Sequence, residues 1–98
     1  MYEVRALPVK KSGTYKVSVV LTKARDYGIV QLYLDGNKAG EPIDLYNPAV
    51  IPTEAVPIGT HTLAEGDHKL TVEIVGANEE AIPAYMFGLD YVVFEMER

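Results

Sequence analysis

The chain has 98 residues and a formal net charge of −5, and both values limit what the protein can be. The length suits one domain, since most domains have roughly 50–250 residues. Hydrophobic residues make up 48% of the chain, but no apolar run reaches the roughly 20 residues of a membrane helix. The negative charge argues against nucleic-acid binding, which needs clustered Lys and Arg. The absence of cysteine excludes disulfides and zinc fingers. We therefore expect neither nucleic acid nor membrane as a partner.

Apolar and polar residues alternate along most of the chain, which predicts β-strands. In chain order, the predicted strands are residues 2–9, 14–22, 29–34, 41–46, 61–63, 68–75 and 87–96. A side-chain period of two places one set of residues in each strand on a single face. The predicted buried faces are Tyr15, Val17, Val19 and Leu21; Val30, Leu32 and Leu34; and His68, Leu70, Val72 and Ile74.

The segments between these strands predict how the strands connect. Asp35-Gly36-Asn37 is typical of a tight hairpin, because these residues tolerate a positive φ. Residues 61–63 and 68–75 are expected to form a second hairpin. Residues 47–59 contain three prolines and predict a long connection that crosses the sandwich. Asn78 followed by two glutamates predicts a single helical turn. Residues 87–96 are apolar on both faces, which predicts a central strand.

Short strands without long amphipathic helices predict an all-β fold, an antiparallel β-sandwich of about seven to eight strands. Residues 1–98 are expected to form this one sandwich module. The first eleven residues lack the apolar stretch of a signal peptide. We expect the chain to be a fragment of a larger protein.

Four short motifs carry a family resemblance. They are Gly13-Thr14-Tyr15-Lys16-Val17, Leu32-Tyr33-Leu34-Asp35-Gly36, Gly66-Asp67-His68-Lys69-Leu70 and Leu89-Asp90-Tyr91-Val92. With them, residues 2–95 resemble the galactose-binding-like jelly-roll sandwiches, in particular carbohydrate-binding modules of families six and thirty-five. Through residues 22–28, 41–46 and 84–91, the chain is more closely similar to a module at the C-terminal end of large bacterial proteins, often glycoside hydrolases.

The resemblance implies a jelly roll that acts as an accessory module of a secreted or periplasmic bacterial enzyme. Modules of these families usually present an exposed Trp or Tyr to the sugar and an Asn near the final strand. This chain departs from that pattern, because it has no Trp and has Gly88 near the position of the Asn. The resemblance also implies a structural calcium ligand at Asp90, with Glu3 as its partner. Because its neighbours in the strand are apolar, Asp90 is expected to be buried, and a buried carboxylate needs a partner. Arg25, Lys23 or backbone N–H groups would serve without a metal, and we expect no cofactor.

Three loops carry side chains suited to a polysaccharide or oligosaccharide ligand. Arg25 and Asp26 offer hydrogen bonds to hydroxyls, and Tyr27 offers an apolar face to sugar C–H groups. The other candidate ligand-binding residues are Tyr46, Asn47 and Tyr85. At one end of the sandwich, these residues would form a shallow platform. In the alternative interpretation, Arg25 and Asp26 pair locally or with neighbouring loops, while Tyr27 closes the end of the sandwich and Tyr46 packs into the fold.

No arrangement of residues in the sequence indicates catalysis. His61 and His68 lie on opposite arms of the second predicted hairpin, where they could approach each other. Catalytic zinc usually has three protein ligands, and neither histidine has an acid at the spacing of a nucleophilic triad. We therefore predict that the chain is not an enzyme.

The sequence thus predicts a non-catalytic accessory module of a carbohydrate-active enzyme, with glycan bound through loops at one end. The alternative is a structural or protein-interaction module that packs against other domains of its parent protein and has no ligand. Val50, Ile51 and Val56 in the proline-rich segment favour this alternative, because an exposed apolar patch marks an interface.

Overall fold

The computed structural model describes residues 2–82 and 84–97, with side chains from residue 6 onward. These residues form eight β-strands, and the predicted antiparallel β-sandwich is confirmed. The strands are β1 (Tyr2–Val9), β2 (Gly13–Lys23), β3 (Ile29–Leu34), β4 (Asn37–Asp44), β5 (Ile51–Pro52), β6 (Val56–Leu63), β7 (Gly66–Gly76) and β8 (Gly88–Met96). Within the described ranges, no helix is long and apolar enough to cross a membrane.

The strands form two sheets that face each other across the core. One sheet has the order β1-β7-β3-β4. In the other sheet β2 is central, with β8 along one side and β6 followed by β5 along the other. Most connections cross from one sheet to the other, and β3–β4 is a direct hairpin between neighbouring strands.

The core consists of the side chains that the period-two pattern placed inward. Leu21, Leu32, Leu70 and Val72 are fully buried, and Ile74 packs against them from the end of β7. The predicted inward faces of β2, β3 and β7 are therefore confirmed. Val20 has the opposite parity and is buried on the outer face, where it lies opposite Tyr91 of β8.

The β3–β4 hairpin has the predicted two-residue turn. Leu34 pairs with Asn37, and the turn residues Asp35 and Gly36 have φ values of 51° and 84°. Two positive φ angles match the right-handed twist of the flanking strands. Further along, β4 bulges away from β3 at Gly40, whose carbonyl accepts a hydrogen bond from the buried Gln31 amide at 3.1 Å.

The prediction of a second hairpin is wrong. β6 pairs with β2, whereas β7 pairs with β1 and β3 in the opposite sheet. The short link at Ala64 and Glu65 therefore crosses the sandwich edge. Gly66, with a φ of 128°, allows this sharp change of direction at almost no steric cost. Alternation along a strand fixes the buried face but not the sheet that the strand joins.

The central position predicted for residues 87–96 is also wrong. Among the described residues, β8 pairs with β2 alone and forms the edge of its sheet. Leu89, Val92 and Phe94 pack partly against the core, whereas Tyr91 and Val93 lie exposed on the outer face.

The proline-rich connection crosses from one sheet to the other as predicted, but it contains more strand than expected. β5 lies within it, and β6 begins at Val56 rather than at His61. Pro57 is accommodated because β6 lies at the sheet edge, next to an irregularity in its pairing with β2. Residues 77–82 and 84–87 belong to a loop in which Asn78 accepts a hydrogen bond from the Glu80 N–H at 2.9 Å. These described residues form a turn and no helix.

A candidate binding site where three loops meet

Three loops meet at one end of the sandwich, and we call this region the three-loop end. It comprises residues 24–28, 44–50 and 77–87, apart from residue 83. The loop 24–28 lies in the middle, since its backbone bonds to both neighbours. Toward 44–50, the Ala24 N–H donates to the Leu45 carbonyl at 3.0 Å and the Leu45 N–H donates to Gly28 at 3.1 Å. Toward 77–87, the Gly28 N–H donates to the Met86 carbonyl at 2.8 Å and the Ile82 N–H donates to Arg25 at 2.8 Å.

Asp44 and Asn78 join the two outer loops directly. One Asp44 carboxylate oxygen accepts from the Asn78 side-chain amide at 2.8 Å. The other accepts from the Tyr46 N–H at 2.9 Å. This carboxylate thus fixes both the end of β4 and the start of the loop 77–87. Asx-type turns after a strand are common, but the sequence has no signal that pairs these two residues across 34 positions.

A shallow cleft of about 350 Å³ lies between these loops. Pocket volumes of roughly 300–1,000 Å³ are typical of small-molecule sites. The cleft is mostly apolar, and Arg25 and Asp26 are its charged members. Its lining residues are Ala24, Arg25, Asp26, Pro48, Ala49, Val50, Ile82 and Ala84.

Arg25 and Asp26 lie in this cleft without a side-chain partner in the described part of the chain. The local ion pair considered as an alternative is therefore not formed. Arg25 is exposed and Asp26 is half-buried. Their positions follow from the backbone, because the carbonyls of both residues accept hydrogen bonds from the loop 77–87. Beside an apolar wall, the guanidinium can donate hydrogen bonds to ligand hydroxyls and the carboxylate can accept hydrogen bonds from them.

Tyr27 lies on the other side of its loop and does not line the cleft. It is half-buried and packs against the core cluster. Its ring also lies over Gly88, where an added Cβ would be 3.3 Å from the Tyr27 hydroxyl and ring. Tyr27 thus closes the end of the sandwich. Gly88, which stands near the Asn position of the resembled families, makes room for this ring.

Tyr46 and Asn47 contribute to the architecture of the loop 44–50. Tyr46 is half-buried and bridges to Ala24 through the backbone. The Asn47 side-chain carbonyl accepts from the Ala49 N–H at 2.9 Å, which turns the chain toward the cleft. Asn47 does not line the cleft, and no described residue accepts a hydrogen bond from its amide nitrogen.

Tyr85 is the exposed member of the three predicted tyrosines, with 51% of its surface accessible. Its φ of 53° lies in the left-handed region, which is unusual for a bulky side chain. Such backbone strain concentrates at binding and functional loops. The three tyrosines therefore share one end of the fold, but they do not form a continuous exposed platform.

Asp90 is exposed on the outer face of β8, contrary to the buried position assumed from its apolar neighbours. Its carboxylate accepts a hydrogen bond from the Thr22 hydroxyl at 2.9 Å. β1, which carries Glu3, lies in the opposite sheet, and the Glu3 side chain is outside the described residues. The described residues contain no cluster of three potential metal ligands.

The two histidines lie on strands of opposite sheets, and no hydrogen bond joins their side chains among the described residues. His61 of β6 bonds to the Ile58 carbonyl at 2.8 Å. His68 of β7 lies at the end opposite the three loops, with Nδ1 at 2.5 Å from the Asp35 carboxylate and Nε2 at 2.7 Å from the Ala64 carbonyl. Both contacts require an N–H donor, which favours the imidazolium.

This arrangement shifts the pKa values of both partners. The Ala64 carbonyl, followed by Asp35, raises the pKa of His68 above its ordinary 6.5. Burial alone would raise the pKa of Asp35, but the Lys69 N–H and His68 outweigh it and lower that pKa below 3.8. The pair links the β3–β4 turn to the β6–β7 crossing.

We expect the stability contributed by this pair to depend on pH. The raised pKa makes the contribution of His68 complete below pH 6.5 and loses it as the pH rises through the folded-state value. The contribution of Asp35 is present above pH 3.8 and disappears as the pH falls through its lowered value. Urea unfolding from pH 4 to 9 should therefore show that His68→Gln lowers the free energy of unfolding by about 0.5–1 kcal/mol near pH 5.5, a small value because solvent screens the partly exposed pair. The loss should be smaller at pH 9, where His68 is neutral. An equal cost at both values would contradict this prediction.

Comparison with known proteins finds similarity to solved structures but no matching sequence family. No protein-family model and no curated protein matches the sequence. A solved structure of a Paenibacillus xanthan lyase matches 94% of this chain with a TM-score of 0.80 and 22% sequence identity. The matched region is 9% of that lyase chain. The protein is therefore similar in fold to a small part of a xanthan lyase.

Proposed function

We propose that this chain is a non-catalytic accessory module of a carbohydrate-active enzyme and binds a saccharide in the cleft at the three-loop end. The observation that carries the proposal is the match of nearly the whole chain to 9% of a xanthan lyase. A fold that occupies so little of a polysaccharide-acting protein is well suited to an accessory role. The resemblance to carbohydrate-binding modules of families six and thirty-five stays a prediction, as does a secreted or periplasmic location.

The composition of the cleft supports a saccharide ligand. Sugar rings present C–H faces that pack on apolar side chains, and the wall here is formed by Pro48, Val50 and Ile82. Sugar hydroxyls need donors and acceptors at the rim, which Arg25 and Asp26 supply. Recognition sites commonly combine an apolar surface with a few placed polar groups.

The distribution of acids and bases supports a role in binding rather than catalysis. Glycoside hydrolysis needs two carboxylates on opposite sides of the scissile bond, whereas Asp26 is the carboxylate that lines the cleft. Among the described residues, both histidines are bonded to other groups away from the cleft.

Titration calorimetry with neutral and acidic polysaccharides tests the proposal. We expect at least one of these polysaccharides to bind. Arg25→Gln should weaken that binding about tenfold, since a charge-assisted hydrogen bond contributes ~1.5–3 kcal/mol. Lys38→Gln is the matched control, because Lys38 is an exposed cation in β4, outside the cleft. Equal weakening by both variants, or no binding to any polysaccharide by the folded protein, would contradict it.

Exposed apolar side chains favour a second candidate, in which the same end packs against another domain of the parent protein. Val50 is 77% exposed, and Ile82 and Met86 are also at least half exposed. Several exposed large apolar side chains at one end are typical of a protein interface. In that case, the titrations show no saccharide binding, and sedimentation shows self-association that Val50→Asp removes.

A further inference from the structure

β8 differs from the other edge strands in having no proline. Exposed edges invite further strands, and proteins usually block them with proline, bulges or charge. Each of the other edges contains a proline: Pro8 in β1, Pro42 in β4, Pro52 in β5 and Pro57 in β6. β8 has nine residues without a proline, and its pairing irregularity is confined to the end near Leu89.

The direction of the backbone shows which groups are left unpaired. The Glu97 N–H donates to the Thr14 carbonyl of β2 at 2.8 Å. Since successive residues of a strand direct their N–H and C=O groups to alternate sides, those of Val92 and Phe94 face away from β2. In the described part of the chain no strand pairs with that side of β8.

The core is also incompletely covered along this edge. Leu89, Val92 and Phe94 direct their side chains toward the core but remain only half-buried. Phe94 is held by an edge-to-face contact with Tyr15, with ring centroids 6.0 Å apart. An added strand would therefore satisfy the free backbone groups and cover the open side of these three residues.

Charge determines which strand fits. The outer face of β8 carries Asp90 near one end and Glu95 near the other, with Tyr91 and Val93 exposed between them. A shallow depression next to Glu95 is also lined by Glu97. Among the described residues that line it, Lys16 is the cation, and its Nζ lies 3.9 Å from the Glu97 carboxylate. A second copy of β8 contains the same two acids and no Lys or Arg, so it offers no opposite charge to Asp90 and Glu95.

We propose that the free edge of β8 binds an extended polypeptide segment in which Lys or Arg alternates with apolar residues. The apolar residues would pack on Val92 and Phe94, while the basic residues would face Asp90 and Glu95. Main-chain hydrogen bonds supply affinity in this mode, and alternate side chains supply specificity. The inference does not depend on the saccharide site, which lies in loops at one end of the sandwich.

The test uses a capped peptide of nine residues in which Lys and Val alternate, matched to the length of β8. Its control has the same composition but the order Lys-Lys-Val-Val, so that total charge is equal and alternation is lost. We expect the alternating peptide to bind about tenfold more tightly in fluorescence anisotropy. Hydrogen exchange should slow at the Val92 and Phe94 amides, because these become bonded.

Charge variants complete the design. Glu95→Lys should weaken binding of the alternating peptide about fivefold, because it places like charges opposite each other. Glu41→Lys makes the same change in net charge on β4 and should alter binding less than about twofold. Equal affinity for both peptides, or equal effects of both variants, would overturn the proposal. Dimerisation through β8 without peptide binding would also overturn it.

Discussion

Leu45→Ala should lower the free energy of unfolding by about 2–5 kcal/mol, the range for a leucine removed from a packed core. Leu45 is fully buried although it follows the last residue of β4. Its N–H bonds to Gly28 and its carbonyl accepts from Ala24, so its side chain lies under the middle of the three-loop end. The cavity would therefore form beneath the proposed site. Urea unfolding monitored by tyrosine fluorescence gives the change directly.

Val50→Ala is the matched control for this prediction. It also shortens an aliphatic side chain in the loop 44–50, but Val50 is 77% exposed. Exposed substitutions of this kind usually change stability by less than about 0.5 kcal/mol. If Leu45→Ala cost no more than Val50→Ala, the burial of Leu45 under the loops would be wrong.

Gly28→Ala should cost about 1–3 kcal/mol, the usual range for overpacking in a tightly filled region. A Cβ at Gly28 would lie 2.9 Å from the Gly76 carbonyl oxygen and 3.1 Å from the Ile74 side chain. The oxygen belongs to the backbone of β7, so relief requires a shift of the loop 24–28. Because that loop is bonded to both neighbours, we expect the cleft to distort and saccharide affinity to fall as well.

Gly76→Ala provides a control at the residue whose carbonyl makes the clash. A Cβ there meets only the Ile29 side chain, at an ordinary 3.9 Å. Both variants add one methyl group at the same junction of β3 and β7, but only Gly28→Ala should shift the thermal midpoint by several degrees. Similar midpoints for the two variants would show that the loop adjusts freely.

The strands and their inward faces could be predicted from sequence because they depend on local alternation. The burial of Leu32, Leu70 and Val72 follows from a period of two, and the β3–β4 turn follows from Asp35 and Gly36. These features need no knowledge of distant residues.

Strand partners could not be predicted in the same way. The link at Ala64 and Glu65 has the length and composition of a hairpin, yet it joins two sheets. β8 is apolar on both faces, which is typical of a central strand, yet β8 lies at a sheet edge. Only the pairing of β2 with β6 and β8 together distinguishes these arrangements.

The candidate site was predicted in part. The loops that carry Arg25, Tyr46 and Tyr85 share one end of the fold, which is the arrangement that the saccharide-platform hypothesis requires. The wall formed by Pro48 and Ile82 was missed, because residues far apart in sequence line it. The sequence does not decide whether the Tyr27 side chain packs into the fold or lies exposed. The ring packs inward because Gly88, without a side chain, leaves room for it.

The crossing connections also determine how the chain must fold. Of the links between paired neighbours, β3–β4 closes a short loop, whereas β1–β7 and β2–β8 join segments that are distant along the polypeptide. Bringing such ends together costs chain entropy before the contacts repay it. All-β domains with this topology fold in about milliseconds to seconds, far more slowly than helical bundles of the same size. The β3–β4 hairpin can form from contacts between residues close in sequence. β8, in contrast, pairs only after the distant β2 has been brought alongside it.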